Sequence, residues 1–186
     1  WTQTRLLLTG VIVAAGCGAV IALLLALAPE ASLRGMLFWL MGDLGQTAEW
    51  HLPMAVLAGC LAAALPLARE LNLLARGLFQ AQALGVAVGR LRIAVYFLAA
   101  LATAVAVTTA GAIGFVGLLV PHGIRLAVGG DLRLLLPASV LAGGALLVFA
   151  DTLARTVVAP QQLPVGVLTA LIGVPAFLLV LARYPR

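Results

Sequence analysis

The sequence has no lysine, six acidic residues, two histidines, two cysteines and two serines. Each scarcity removes a class of chemistry. A phosphate-cradling Gly-rich loop ends on Lys-Ser or Lys-Thr, so the chain holds no such loop and does not itself hydrolyse ATP through one. His51 and His122 are far apart and fall near different expected membrane faces, so no metal-ligand cluster is expected. Ser32 and Ser139 sit in no Gly-x-Ser-x-Gly run, which leaves an intramembrane hydrolase poorly supported. Cys17 and Cys60 lie inside apolar stretches and read as small buried hydrophobes, not as disulfide or metal positions. No catalytic residue, metal or cofactor of this chain's own is expected. So few polar groups suit a conduit better than a catalyst.

Hydrophobic residues make up 64% of the chain, charged residues 9%, and mean hydropathy is +1.19. An ordinary soluble domain is roughly half apolar and about a quarter charged. Lipid must therefore be the solvent for much of this chain. The net charge of +5 is no nucleic-acid signal, because the basic residues, all arginine, sit in the gaps between apolar stretches. The chain opens on Trp1, and no charged segment precedes a short apolar one, so no signal peptide is read and a fragment or trimmed chain is expected.

A spanning helix needs about 20 mainly apolar residues. No charge occurs between Arg5 and Glu30, which gives a first span over 6–28. A second covers 52–68. The uncharged stretch Ile93–Ile124 is too long for one ordinary helix, and Thr108–Gly114, with two threonines and two glycines, is its natural break. The arginines decide the matter. With one crossing there, they divide six against five between the two sides. With two, Arg5, Arg69, Arg76, Arg90, Arg92, Arg125, Arg133, Arg183 and Arg186 share one side and only Arg34 and Arg155 the other, nine against two. That bias marks the cytoplasmic side. The expected fold is an all-α polytopic membrane protein, one domain over 1–186, with spans near 6–28, 52–68, 90–109, 113–128, 132–154 and 164–182.

The connections differ in kind. Residues 29–51 are external and acidic, and Leu33–Leu40 reads as an interfacial helix with Trp39 at headgroup depth, or as an extra turn of its neighbour. Residues 69–92 are internal; with four arginines and an apolar set including Leu73, Leu74, Leu78, Phe79 and Leu84, they read as a short amphipathic helix offered to a cytoplasmic partner, or as one resting on headgroups. Gly129-Gly130-Asp131 reads as a tight hairpin, with glycine ending one helix and Asp131 capping the next. Gly16, Gly18, Gly114, Gly117, Gly143, Gly144, Gly166 and Gly173 suit close helix packing. Pro121, Pro137, Pro164 and Pro175 bend helices or occupy first turns. Asp151 and Arg155 stand four apart near an external helix end, as a functional pair or a plain interfacial ion pair. Pro121, His122 and Arg125 read as a helix end with a snorkelling arginine, or as a gate.

The run Gly111-Ala112-Ile113-Gly114-Phe115-Val116-Gly117-Leu118-Leu119-Val120-Pro121-His122-Gly123-Ile124-Arg125-Leu126 closely resembles a signature of the permeases of bacterial ATP-binding-cassette importers for iron–siderophores, heme and cobalamin, the FecCD/BtuC-like family. Leu134-Leu135-Leu136-Pro137, Ala150-Asp151-Thr152-Leu153-Ala154-Arg155 and the stretch from Leu163 to Pro175 follow in the family's order and spacing, and Thr4–Gly10 and Leu37–Gly42 match upstream. The resemblance covers essentially the whole chain.

It implies the C-terminal portion of a permease in the bacterial cytoplasmic (inner) membrane, multi-pass, with both ends of this chain cytoplasmic. Two permease copies, identical ones being expected, form a path that works by alternating access. ATPase subunits, which hold ATP and magnesium, dock from the cytoplasm, and an extracytoplasmic binding protein delivers substrate. By the same resemblance, Leu73–Gly85 is the ATPase-coupling segment, carried by Leu74, Arg76, Gly77, Leu78, Phe79, Gln82, Leu84 and Gly85. Thr2, Gln3 and Thr4 are the cytoplasmic gate, Arg155 docks the binding protein, and Gly114, Gly117, Pro121, His122 and Arg125 form the signature's gate or packing motif. Leu6–Ala28 lines the path. Leu78 and Gln82 stand where family members usually carry an acidic residue and an arginine. Two other classes are weighed: an ion-coupled secondary transporter and a non-transporting membrane scaffold. The first needs buried acids near the midplane, whereas every acid here maps to a loop or span end.

Overall fold

The computed structural model describes residues 3–45 and 49–183. It is all-helical over them: α1 (Gln3–Leu27), α2 (Glu30–Leu40), α3 (His51–Ala75), α4 (Leu78–Ala83), α5 (Val88–Ala110), α6 (Val116–Val128), α7 (Leu132–Thr156) and α8 (Val165–Arg183). Four of these, α1, α3, α5 and α7, are long and apolar enough to cross a membrane; α6 and α8 are shorter apolar helices. A backbone in lipid must satisfy its own polar groups, and helices alone do this within one segment. Threonine hydroxyls follow the same rule. Thr9, Thr108 and Thr152 each donate to the carbonyl four residues earlier, at 2.8 Å.

The chain divides into two compact units, with the boundary between Phe38 and Trp39. In the first, α1 is apolar all round, as a helix facing lipid or apolar partners must be. Cys17 is exposed on it, not buried as its apolar setting suggested; only Cys60 is buried, and both are free. Ala28 and Pro29 separate α1 from α2, so residues 33–40 belong to a distinct helix and not to an extra turn of α1.

In the second unit α3 packs on α5 and α7, α6 on α7 and α8, and α7 on α8. The helix begun at His51 runs past the expected span end at Ala68 to Ala75. Arg69 and Glu70 mark where lipid is expected to end, but charges do not stop a helix, and Leu71, Leu73 and Leu74 continue it. The expected break at Thr108–Gly114 falls at 111–115. Thr109 is still helical, its hydroxyl donating to Val105 O at 2.7 Å. Phe115 closes the break in the left-handed region, φ 66°, and caps α6. The hairpin forms as expected: Gly129 has φ 93°, and the Asp131 carboxylate accepts from the Arg133 N–H at 3.0 Å. Pro121, Pro137 and Pro175 lie inside α6, α7 and α8, and Pro164 immediately precedes α8.

Candidate functional site

The expected coupling segment resolves into three parts. Leu73 and Leu74 are still in the last turn of α3, Arg76 caps it, and Gly77, φ 142°, turns the chain into α4. Leu84 ends α4 and Gly85, φ 82°, leads away from it. The short helix packs on both α3 and α5. Its inward side is Ala81, fully buried, where a larger side chain would hold the helix off its neighbours. Its outward side is apolar: Phe79 is 86% exposed, and Leu78 and Leu84 are exposed as well. Gln80 and Gln82 flank Phe79 and are exposed too. A protruding aromatic on a rigid short helix is the kind of anchor that seats in a partner's pocket.

At the far end of α7, about 37 Å away for 25 residues at 1.5 Å each, the Arg155 Nε donates to Asp151 Oδ2 at 2.8 Å. Both side chains are partly exposed. The rest of the guanidinium lies beside Gly45 and Asp43, since a Cβ on Gly45 would stand 3.1 Å from both Arg155 Nη2 and Asp43 Oδ1. Arg155 is thus an oriented cation with part of its fork still open to solvent.

The segment leading to that end is held by backbone contact. The Asp43 N–H donates to Ala110 O at 2.9 Å. A Cβ on Gly111, φ 72°, would lie 1.9 Å from Trp39 O, and one on Gly166 would lie 2.1 Å from Met41 O. Only glycine admits such approaches. Gly173 likewise admits the Phe115 side chain, whose Cβ would be 2.5 Å away. Gly16, Gly18, Gly114, Gly117 and Gly144, also expected at close packing, meet nothing among the described residues within 4 Å of an added Cβ beyond their own chain neighbours and helix backbone. Met41, Ala112, Gly114, Gly166 and Ala170 line an open apolar groove of about 590 Å³.

The signature residues lie along α6 and its approach. Gly114 is in the break, Gly117 in the first turn and Arg125 exposed in the last. His122 meets the edge of Phe177, ring centres 6.5 Å apart, while its Nε2 is buried with no hydrogen-bond partner among the described residues, as is Ser139 Oγ. Of the expected gate, Thr2 lies outside the described residues, as does the side chain of Gln3; Thr4 is exposed at the start of α1.

At the α4 end a side-chain join that no sequence motif marks ties two helices together. Asn72, in the last turn of α3, donates from Nδ2 to Asp131 Oδ1 at 2.6 Å and accepts at Oδ1 from the Leu132 N–H at 3.0 Å. It is the only asparagine in the chain, and that singularity was the available signal. The Asp131 carboxyl is held below its ordinary value of 3.8, first by the Arg133 N–H and then by the Asn72 amide.

Comparison with known proteins agrees across the chain. The hemin transport system permease protein HmuU of Yersinia pestis is 44% identical over 183 residues, 96% of this chain and 54% of HmuU. The cobalamin import system permease protein BtuC of Halobacterium salinarum is 47% identical over 95% of this chain and 47% of its own length. The Fe(3+) dicitrate transport system permease protein FecD of Escherichia coli is 42% identical over 96% of this chain and 57% of its own. The chain therefore spans about half the length of the curated relatives it matches. A solved structure described as an inward-facing conformation of a metal-chelate type ABC transporter superposes with TM-score 0.89 at 33% identity, over 98% of this chain and 60% of that one. Residues 1–183 match the FecCD transport family, and this multi-pass membrane chain belongs to it.

Proposed function

We propose that this chain supplies part of the permease subunit of an ATP-binding-cassette importer that brings a metal chelate or related cofactor, of the iron–siderophore, heme or cobalamin kind, into the cell by alternating access. The observation that carries the reading is α4, which sits between two helices long enough to span and projects Phe79 into solvent. ATP binding closes a pair of partner ATPases and moves α4, and the path between two permease copies changes the side to which it opens. The chain performs no covalent chemistry and binds no cofactor of its own; ATP and magnesium belong to the ATPase. Arg155 receives a carboxylate of the extracytoplasmic binding protein, a task its forked guanidinium suits. Residues 2–4 gate the cytoplasmic mouth, the signature from Gly114 to Arg125 packs the helix beside the path, and six spans place both ends of this chain in the cytoplasm of a bacterial inner membrane. Relatives named for hemin, cobalamin and ferric dicitrate support the substrate class.

The test is co-purification. The full-length permease is co-expressed with its candidate ATPase, with and without Phe79→Asp. The ATPase is expected with the unaltered protein and lost with the variant. Equal recovery with both would remove α4 as the coupling surface, and no recovery with either would reopen the secondary-transporter and scaffold readings.

A further inference from the structure

We propose that Asn72 is a positioning residue for coupling: its carboxamide bolts the last turn of α3, and with it the α4 segment, to the first turn of α7. The inference rests on the importer reading above and adds the route by which movement of α4 enters the membrane helices.

A helix start leaves its first N–H groups without partners inside the helix. In α7 these are met in two ways. The Asp131 main-chain carbonyl accepts from Leu134 and Leu135 at 3.1 and 2.9 Å, and the Asp131 carboxylate accepts from Arg133. That leaves Leu132, whose N–H donates to Asn72, 60 residues earlier in the chain. Because that N–H can only donate, it fixes the amide's orientation: Oδ1 faces Leu132 and Nδ2 faces the Asp131 carboxylate. Both ends of the carboxamide are thereby used, and Asp131 Oδ1 is shared between Asn72 and Arg133. Asn72 is followed by one turn of helix and then by Gly77, where α4 begins. Among the described residues, the side-chain hydrogen bonds that join separate helices all pass through Asn72. Helices α3 and α7 also pack directly on one another, and Asn72 adds to that packing a directional join at the end nearest α4. At its other end α7 carries Asp151 and Arg155. A load on α4 is therefore delivered to the start of the helix that presents Arg155.

The test uses the full-length permease with its ATPase and binding protein in proteoliposomes, and reads substrate transported per ATP hydrolysed. N72D sets a carboxylate against Asp131 and removes the only donor between them. The ratio is expected to fall about tenfold, within the span of coupling energies between linked sites. Asp131 Oδ1 accepts from both Asn72 and Arg133, so adding D131N to N72D returns the donor from the opposite side once the new amide turns its oxygen to Arg133 and its nitrogen to the carboxylate at 72, which keeps an acceptor for Leu132. This exchanged pair is expected to restore the unaltered ratio, which a loss of general packing would not do. Amide exchange at Leu132 and Arg133 gives a readout independent of transport: faster in N72D, slow again in the exchanged pair. An N72D complex that couples normally, or an exchanged pair no better than N72D, overturns the proposal. If N72D fails to assemble, recovery of assembly and coupling by the exchanged pair supports it, and failure of both overturns it. An unaltered complex that hydrolyses ATP without transport is visible before any variant is made, and overturns the importer reading itself.

Discussion

The two ends of α7 are fastened by opposite means. At the α4 end, side chains make the join: Asn72, Asp131 and two backbone N–H groups form a polar knot at an exposed hairpin. At the Arg155 end, main chain meets main chain: the Leu163 N–H donates to Ala154 O at 3.1 Å, and in the segments beside Arg155 the glycines at 111 and 166 admit the carbonyls of Trp39 and Met41. A polar knot in contact with water can open and close at modest cost, because water replaces each lost bond. A glycine-mediated contact has no such substitute, since any added atom collides. Under the proposal for Asn72, the first arrangement is a directional join that can be remade, and the second holds a loop in place.

The largest effect expected from breaking this contrast is at Gly111. Gly111→Ala places a Cβ 1.9 Å from Trp39 O at φ 72°, and should cost the full-length permease at least about 3 kcal/mol in detergent, through overpacking and backbone strain together. Thermal unfolding measures it, and a loss below about 1 kcal/mol would mean the close approach is not a constraint. Gly144→Ala sharpens the point. It lies inside α7 with nothing within 4 Å, so the same scan should show no loss and up to about 1 kcal/mol of gain from helix propensity.

The smallest effect is at the knot. The Asp131 carboxyl titrates lower in the folded chain than the ordinary 3.8. Its contribution is therefore fully present above 3.8 and is lost only as pH falls through the lower folded value. Protection factors for the Arg133 amide should be constant from about pH 7 to 5 and collapse only below the ordinary carboxylate range; a midpoint above it would show that the knot does not hold the charged form.

Much of this is legible in the amino-acid sequence. Long apolar stretches bounded by arginine give helices, and the Gly129–Asp131 turn carries its own instructions in a positive φ and a capping carboxylate. What the sequence located poorly has physical causes. Helix α3 outran its expected span because the charges at 69 and 70 speak to lipid and not to helix propensity. Thr108 and Thr109 look like a break, yet their hydroxyls bond back into α5, and the break, 111–115, is centred two residues later than expected and closes at the left-handed Phe115. Glycines 111 and 166 could be read as small, but the carbonyls they admit come from residues 39 and 41, and no local pattern names a partner so distant in sequence. Asn72 belongs to the same class: a lone amide in a run of leucines whose meaning depends on Asp131 and Leu132. Of the candidate sites, α4 was visible as an apolar segment between arginines, while the outward turn of Phe79 and the inward turn of Ala81 required the helix.

The central proposal is that α4 and Arg155 face opposite sides of one membrane, with α7 between them. On a cysteine-free full-length permease, Phe79→Cys and Arg155→Cys are each labelled with a membrane-impermeant maleimide in right-side-out and inverted vesicles. Phe79→Cys is expected to react only in inverted vesicles and to be shielded when the ATPase is bound, and Arg155→Cys to react only in right-side-out vesicles. Reaction of both positions from the same side would contradict it.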